Sequence, residues 1–177
     1  MQHDGDHNMY YTTDYSTPIG RLTLAADKHG DAITGAWFDG QKYFGGTSGQ
    51  DLVAKKDLEV FDDAKSWLDR YFGGEKPSPD ELPLAPCGSD FRQEVWKLLC
   101  EIPYGRVTTY GELAAETARR LGRERMSAQA IGGAVGHNPI SVIIPCHRVI
   151  GADGSMTGYA GGIGLKEWLL SHEGAIR

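Results

Sequence analysis

The sequence contains few cysteines: three in 177 residues, at Cys87, Cys100 and Cys146, and none in a Cys-x-x-Cys arrangement. Three cysteines cannot all pair within one chain, and a structural zinc knuckle needs closely spaced pairs. The sequence therefore argues against a disulfide framework and against a cysteine-rich zinc site.

Long hydrophobic runs are also absent. The longest uncharged apolar run, around residues 141–145, is far shorter than the ~20 residues that cross a bilayer. The first eight residues are polar and acidic, unlike the basic and then apolar start of a secretory signal. With 40% hydrophobic and 24% charged residues, the composition is that of a globular protein. We therefore expect a soluble, cytoplasmic protein with no membrane partner.

Positive charge is scarce overall and unevenly distributed. The chain has 18 basic and 24 acidic residues, a net charge of −6, which by itself argues against a nucleic-acid partner. Residues 1–90 carry −8 and residues 91–177 carry +2, and four arginines lie between Arg119 and Arg125. These arginines either form a solvated helix end or contact phosphates, and charge alone does not distinguish the two.

The first half of the chain has the pattern of a small sheet with one helix. Turn signals separate three runs that predict an antiparallel meander, at residues 10–15, 21–25 and 32–38. The Gly-rich residues 41–56 are predicted to form a loop. Apolar residues at helical spacing then predict a helix over residues 58–71, which the following glycine pair ends.

A proline-rich segment separates this half from a helical one. Four prolines lie in residues 75–86 and predict an extended linker, so we place an N-terminal α/β domain at 1–85 and a C-terminal domain at 86–177. In the second domain Ser89, Thr109 and Ser127 are predicted to cap helices, and Glu112 completes a capping box with Thr109. The last two helices and their Gly-containing turn indicate a helix-turn-helix. The predicted fold class is therefore α+β.

The predicted third helix of this domain contains an adjacent glycine pair, Gly132-Gly133. Glycine costs about 1 kcal/mol relative to alanine inside a helix, so the pair implies that something approaches the backbone closely. Another helix and DNA are both candidates.

The segment around Cys146 carries the strongest chemical signal. Residues 141–144 predict a buried strand that Pro145 ends, which places Cys146 at the end of the strand. A free cysteine is most often a small buried hydrophobe, whereas an adjacent histidine, here His147, is the usual base for a thiol. Side chains alternate along a strand, so contact between the two requires a turn or a bridging water. Glu173, which follows a predicted helix at 165–172, either orients His147 as in a triad or is simply solvated.

These motifs resemble one known family. Pro145-Cys-His-Arg-Val149, flanked by Gly136-His-Asn-Pro139, Thr157-Gly-Tyr-Ala-Gly-Gly162 and Lys166-Glu-Trp-Leu-Leu-Ser-His-Glu173, is similar to the O6-alkylguanine-DNA alkyltransferases. Ile102-Pro-Tyr-Gly105 and Thr109-Tyr-Gly-Glu-Leu-Ala114 match as well. The specific resemblance covers roughly residues 91–174, about half of the chain.

The resemblance implies a reaction and a set of roles. An alkyl group would move irreversibly from O6-alkylguanine, with O4-alkylthymine as a second candidate substrate, to Cys146. His147 would act as base through a water and Glu173 would hold it, while Asn138 would be a hinge and Tyr110 would donate to the leaving base. The implied substrate pocket contains Val135, Val149, Tyr159 and Ala160, the last at a position where the family often has serine.

The resemblance also implies the partner. The helix-turn-helix would bind the minor groove of double-stranded DNA with weak sequence preference, and the damaged nucleotide would flip out of the stack. Gln129 stands where the family commonly has an inserting arginine. The implied DNA-contacting residues are Thr109, Arg123, Arg125, Ala128, Gln129 and Gly132. We expect a monomer.

The same chemistry needs no cofactor, because a thiolate of lowered pKa at Cys146 would react once and form a stable thioether. Zinc in some family members uses N-terminal cysteines, and this chain has none before Cys87, so we expect no metal. His3 and His7 are spaced like ligands but are interpreted as incidental. Two other hypotheses stay open on the residues alone: a non-catalytic DNA binder, either damage-flagging or a helix-turn-helix regulator, and a cysteine hydrolase.

Overall fold

In the computed structural model, which describes residues 9–46, 51–156 and 158–176, the first half of the chain forms a four-stranded sheet. Strands β1 (Met9–Thr17), β2 (Gly20–Ala26) and β3 (Ile33–Phe38) form the predicted antiparallel meander. Strand β4 (Asp51–Ala54) pairs in parallel with β1, so the sheet is mixed and the prediction of loop throughout 41–56 is wrong there. All four residues of β4 are exposed. The strand has no buried face that could leave an alternating pattern in the sequence.

The helix α1 (Glu59–Phe72) forms where helical spacing predicts it and ends at the glycine pair. Its apolar face is fully buried and supplies much of the first core together with the inward side chains of β2 and β3. The buried residues of the helix are Val60, Phe61, Ala64, Trp67, Leu68 and Tyr71. The amphipathic pattern alone was therefore sufficient to locate this helix.

The described chain forms two compact units. The first contains the chain up to Cys87 together with Pro139–Ser141, and the second contains Gly88–Asn138 and the chain from Val142 onward. Pro139–Ser141 joins the first unit because it pairs with β3: Ala36 N–H donates to Pro139 O at 2.8 Å and Ser141 N–H to Ala36 O at 3.0 Å. The sequence analysis placed one boundary between residues 85 and 86, and a single boundary cannot show that residues 139–141 belong to the first unit. Within the described residues, no helix is long and apolar enough to span a membrane.

Four helices form most of the second unit. They are α2 (Asp90–Cys100), α3 (Tyr110–Arg120), α4 (Ala128–Gly136) and α5 (Ile163–His172), with a two-residue parallel pair of β5 (Thr108–Thr109) and β6 (Val149–Ile150). The three predicted caps are present: Ser89 accepts from Arg92 N–H at 3.3 Å, Thr109 from Glu112 N–H at 3.1 Å, and Ser127 from Ala130 N–H at 3.0 Å. The Thr109–Glu112 capping box is complete. Helices α3 and α4 and their turn have the predicted helix-turn-helix order.

The strand predicted at residues 141–144 does not form. Ile140 makes a single bridge to Ala36, and then Val142 adopts a left-handed φ of 71° that turns the chain. A β-branched residue rarely adopts this conformation, so the surrounding burial must hold it there. The apolar, β-branched composition of this segment reflects a fully buried turn rather than an extended strand.

Candidate active site

A short 3₁₀ turn, Cys146–Arg148, presents the reactive residues. The expectation that Cys146 lies at the end of a strand is therefore wrong. Cys146 lies instead in a turn, one of the two arrangements that contact with His147 was expected to require. The turn begins after Pro145, and Cys146 N–H donates to Ile144 O at 2.8 Å. Cys146 is 5% exposed and His147 is completely buried. The turn therefore buries the thiol and the imidazole at consecutive positions of the chain.

The imidazole of His147 is held by a buried carboxylate. His147 Nε2 lies 2.6 Å from Glu173 Oε2, and neither side chain is exposed. Glu173 follows the last residue of α5, and it also binds Arg148, whose Nε and Nη2 donate to the two carboxylate oxygens at 2.7 and 3.1 Å. Arg148 Nη1 donates to Ile102 O at 2.7 Å. The possibility that Glu173 is a solvated helix end is therefore excluded.

These contacts determine how the two groups are protonated. Burial raises the pKa of Glu173, but hydrogen bonds from His147 and Arg148 outweigh it and hold that pKa at about 2. Burial lowers the pKa of His147. A neutral His147 beside a carboxylate must donate its Nε2–H, which leaves Nδ1 with a free lone pair. That Nδ1 is buried and has no hydrogen-bond partner among the described residues.

The pKa of the Cys146 thiol is raised, so the expectation of a lowered pKa is wrong for the resting protein. Burial raises the pKa of Cys146, and a hydrogen bond from Asn138, the charge of Lys166 and backbone N–H groups only partly oppose it. A buried thiolate loses its hydration, and this loss outweighs the favourable contacts. The resting residue is therefore a thiol that needs a base, and the open Nδ1 of the neighbouring His147 is a suitable acceptor.

Asn138 connects the helix-turn-helix to the reactive turn. It follows the C-terminal end of α4, is 4% exposed, and donates from Nδ2 to Ile144 O at 2.9 Å. Its amide thus contacts both the segment before Cys146 and the thiol itself. Asn138 thus links the C-terminal end of α4 to the turn that carries the thiol.

Lys166 and Arg148 are site residues to which the sequence analysis assigned no role. Lys166 is 1% exposed on α5, donates from Nζ to Val149 O, and lies 5.9 Å from the centroid of the Tyr110 ring. Burial lowers the pKa of Lys166, and the charge of Cys146 opposes this shift. Lysine at one helix position is usually exposed, so only its place inside the motif that resembles the family could have indicated the site. Arg148 had a clearer signal, because it is a charged residue within an otherwise uncharged segment.

The residues expected to form the substrate pocket lie on α3, on α4, on β6 and in the loop before α5. Tyr110 begins α3, and burial together with the charge of Cys146 raises its pKa, so the hydroxyl stays protonated. A Cβ at Gly158, where φ is 88°, would lie 2.7 Å from Tyr110 Oη, so only glycine fits there. Tyr159 and Ala160 follow in the loop and are half-buried. Val149 and Val135 are buried, the latter on α4.

Among the residues expected to contact DNA, one side chain is engaged in a helix cap and several others are exposed. Thr109 Oγ1 caps α3, whereas Arg123, Arg125, Ala128 and Gln129 are exposed in the turn and the first turn of α4. No described residue forms an ion pair with Arg123 or Arg125.

The other two arginines of the cluster are engaged. Arg119 and Arg120 pair with Glu116 at 2.5 and 3.1 Å, and Arg120 also pairs with Glu101 at 2.8 Å. Of the four arginines, only Arg123 and Arg125 have no ion pair with the part of the chain that the structure describes.

The side of α4 that carries the glycine pair is not covered by described residues. A Cβ at Gly132 or Gly133 would meet nothing within 4 Å. Packing against another helix, one of the two candidate explanations for the pair, is therefore wrong for the described chain. The helix keeps an open strip of backbone.

Some expectations fall on residues outside the described ranges. His3, His7 and Thr157 are among them. In the described ranges, no group of three or more His, Cys, Asp or Glu side chains is arranged to hold a metal ion.

Comparisons with known proteins agree with the residues that form this site. The family model described as "6-O-methylguanine DNA methyltransferase, DNA binding domain" matches residues 90–175, and the "ribonuclease-like domain" of the same name matches residues 9–86. The methylated-DNA–protein-cysteine methyltransferase of Haemophilus influenzae is 41% identical over 165 residues, which cover 93% of this chain and 86% of that protein. The protein of that name from Mycobacterium tuberculosis is 44% identical over 165 residues, covering 93% and 91%. A crystal structure of Mycobacterium tuberculosis OGT in complex with DNA superimposes with a TM-score of 0.76 at 42% identity, covering 94% of this chain and 93% of that one.

Proposed function

Because the chain belongs to the 6-O-methylguanine DNA methyltransferase family, we propose that it repairs O6-alkylguanine in DNA by transferring the alkyl group to its own Cys146. The observation that carries this proposal is the buried arrangement of Cys146, His147 and Glu173 with an open imidazole nitrogen. A thiol that must lose its proton stands next to a neutral base, and a carboxylate fixes the tautomer of that base.

The proposed reaction is a displacement at carbon. His147 Nδ1 takes the thiol proton through a bridging water, and the sulfur of Cys146 attacks the alkyl carbon as the bond from carbon to the guanine oxygen breaks. The electron pair of that bond goes to the leaving guanine, which Tyr110 protonates, and the proton taken up by His147 then returns through water to the Tyr110 phenolate. In net terms the proton of the thiol replaces the alkyl group on guanine, and a thioether forms.

Two further side chains favour the thiolate at the moment of attack. Lys166 supplies a buried positive charge, and the Asn138 amide donates to the sulfur. In a dry site such contacts interact with the developing charge more strongly than they would in water. They do not ionise the resting thiol, which protects it from reaction until a substrate is present.

The proposed product cannot be reversed. The carboxylate, imidazole and ammonium groups described around Cys146 do not cleave the carbon–sulfur bond of a thioether, so each protein molecule acts once. The transfer requires no cofactor and no metal, because both the nucleophile and the proton acceptor belong to the chain.

The proposed partner is the minor groove of double-stranded DNA. Helix α4 would enter with Ala128, Gln129 and Gly132, and its open glycine strip allows the backbone to approach the duplex. Arg123 and Arg125 would contact phosphates, which gives affinity with little sequence preference. The target atom lies inside the duplex, so the nucleotide must flip out, and we propose that Gln129 fills the gap.

The remaining features of the proposal concern organisation. We propose two domains, 1–85 and 86–177, in a monomeric cytoplasmic protein, with the alkyl transfer carried by the second domain. The family models change at the same linker, at residues 86 and 90. A protein that only flagged damage would need no base beside a buried cysteine.

The proposal is tested by intact-protein mass spectrometry after incubation with a duplex that carries one O6-methylguanine. The wild-type protein is expected to gain the mass of one methylene, and Cys146→Ala to gain nothing. Cys87→Ala removes an exposed cysteine and is the matched control, which is expected to react like the wild type. Transfer by Cys146→Ala, or binding of damaged duplex without any mass gain in the wild type, would overturn the proposal.

A further inference from the structure

A second cleft lies entirely within the first unit and contains no residue of the Cys146 site. Its volume is about 580 Å³. Residues from β1, from the end of β4 and from α1 form its walls: Thr12, Thr13, Asp14, Ala54, Lys55, Lys56 and Lys65. The edge strand that the sequence did not reveal is therefore what builds it.

The parallel pairing of β1 with β4 brings two lysines to the cleft. Thr12 is opposite Ala54, and Lys55 N–H continues the ladder by donating to Thr12 O at 2.9 Å. Lys55 and Lys56 therefore leave the strand beside Thr12 of β1. From the other side, Lys65 on α1 donates from Nζ to Thr13 Oγ1 at 3.3 Å.

The charge of the cleft is opposite to that of its surroundings. Residues 1–90 contain 16 acidic and eight basic residues, yet three of those eight basic residues line this one cleft. Asp14, the one acid among these lining residues, lies 3.8 Å from Arg21 and accepts from Thr23 at 3.5 Å, so the lining holds three ammonium groups and one carboxylate.

The three ammonium groups differ in whether an acidic side chain lies nearby to balance their charge. Lys55 Nζ lies 3.9 Å from Asp57 and 5.6 Å from the centroid of the Tyr11 ring. Lys65 has a neutral partner in Thr13, and Lys56 has no hydrogen bond or ion pair with a described residue. Like charges gathered in one cleft repel each other, and an anion placed among them would remove that repulsion.

We propose that this cleft binds a phosphate group. Lysine is a common phosphate ligand as a point charge, and Thr13, whose hydroxyl oxygen accepts from Lys65, can donate its own hydroxyl proton at the wall of the cleft. Two sources share this chemistry, the phosphodiester backbone of a nucleic acid and free inorganic phosphate. The inference does not depend on alkyl transfer, because all lining residues belong to the first unit.

The test is an amide NMR titration of the full chain at low ionic strength, first with inorganic phosphate and then with an undamaged duplex. Phosphate is expected to shift the amide signals of residues 12–14, 54–56 and 65. The double variant Lys56→Glu/Lys65→Glu is expected to lower phosphate affinity at least tenfold. Lys42→Glu, an exposed lysine outside the cleft, makes the same charge change once and is the matched control.

The titrations distinguish the two phosphate sources, and they also show which results would overturn the proposal. If a duplex causes the same local shifts and phosphate competes with it, the ligand is the nucleic-acid backbone; shifts with phosphate alone identify the free anion. Unchanged amide signals elsewhere in the double variant show that it remains folded. The single variant Lys56→Glu is measured beside Lys42→Glu, so that both carry the same charge change. The proposal is overturned if neither ligand shifts the cleft signals, or if Lys42→Glu lowers phosphate affinity as much as Lys56→Glu does.

Discussion

His147 Nε2 lies 2.6 Å from Glu173 Oε2, in a pair that has no solvent exposure. The carboxylate is fixed in turn by two hydrogen bonds from Arg148. Because an arginine is always charged, Glu173 remains an anion and accepts the Nε2–H of a neutral imidazole. One buried carboxylate therefore sets the tautomer in which Nδ1 is free to take a proton.

Replacing Glu173 by glutamine tests this relationship. The amide cannot enforce the same tautomer, and the loss of a positioned base typically slows a reaction about 10²-fold or more. Breaking a buried ion pair also destabilises a protein by about 3–5 kcal/mol, because Arg148 loses its partner. Single-turnover transfer rates and urea unfolding measure the two effects. Glu167→Gln, on an exposed position of the same helix, is the control and is expected to change neither.

The lowered pKa of Glu173 predicts how stability depends on pH. The pKa is about 2 in the folded protein and 4.5 for an ordinary glutamate. A depressed folded pKa contributes stability that is present above pH 4.5 and is lost as the pH falls towards 2. The unfolding free energy of the wild type is expected to fall more steeply in that window than that of Glu173→Gln, and equal slopes would contradict the assignment.

The rate of transfer has its own pH dependence. Burial lowers the pKa of His147 from its ordinary value of 6.5, so the imidazole is still neutral when a free histidine would be half protonated. The single-turnover rate is therefore expected to stay constant as the pH falls through 6.5, and to decline only below it. A midpoint at or above 6.5 would show that the base is a solvated histidine or another group.

Lys166 is predicted to affect chemistry and not DNA binding. Lys166→Met keeps the length of the side chain but removes the buried charge that favours the Cys146 thiolate. The transfer rate is expected to fall about tenfold or more, since the thiolate that forms during attack loses the nearby positive charge that opposes the raised pKa of Cys146. Affinity for an undamaged duplex is expected to be unchanged. Lys97→Met, an exposed position on α2, serves as the control.

The glycine strip of α4 predicts opposite effects on stability and on binding. Gly132→Ala and Gly133→Ala are each expected to stabilise the helix by about 1 kcal/mol, because a Cβ meets nothing there. The double variant is expected to bind a duplex more weakly, since its methyl groups prevent close approach. Transfer from O6-methylguanine supplied as a free base is the control and should be unaffected. Unchanged duplex affinity would show that this strip does not face DNA.

The sequence predicted the helices better than it predicted the irregular segments. Caps and apolar spacing are local signals, and the capping box of Thr109 and Glu112 could be located from them. The strand β4 was missed because its pairing comes from β1, and the turn around Val142 was missed because β-branched composition reports burial as well as extension. Both features depend on contacts distant in sequence.

The candidate site shows the same division. The motif pointed to Cys146 and His147, but the direction of the Cys146 pKa shift depends on burial, which residue types alone do not reveal. A sequence likewise cannot show that Lys166 lies inside the protein. The resemblance indicated the positions, and the folded chain supplied their protonation states.

The central claim, that Cys146 itself accepts the alkyl group once and keeps it, is tested most directly with a duplex whose O6-methylguanine carries an isotopically labelled methyl group. With the duplex in excess, the label is expected to reach one equivalent per protein molecule and to be found, after digestion, only on the peptide that contains Cys146. Label on another residue, or demethylation of more than one equivalent of duplex, would contradict the account.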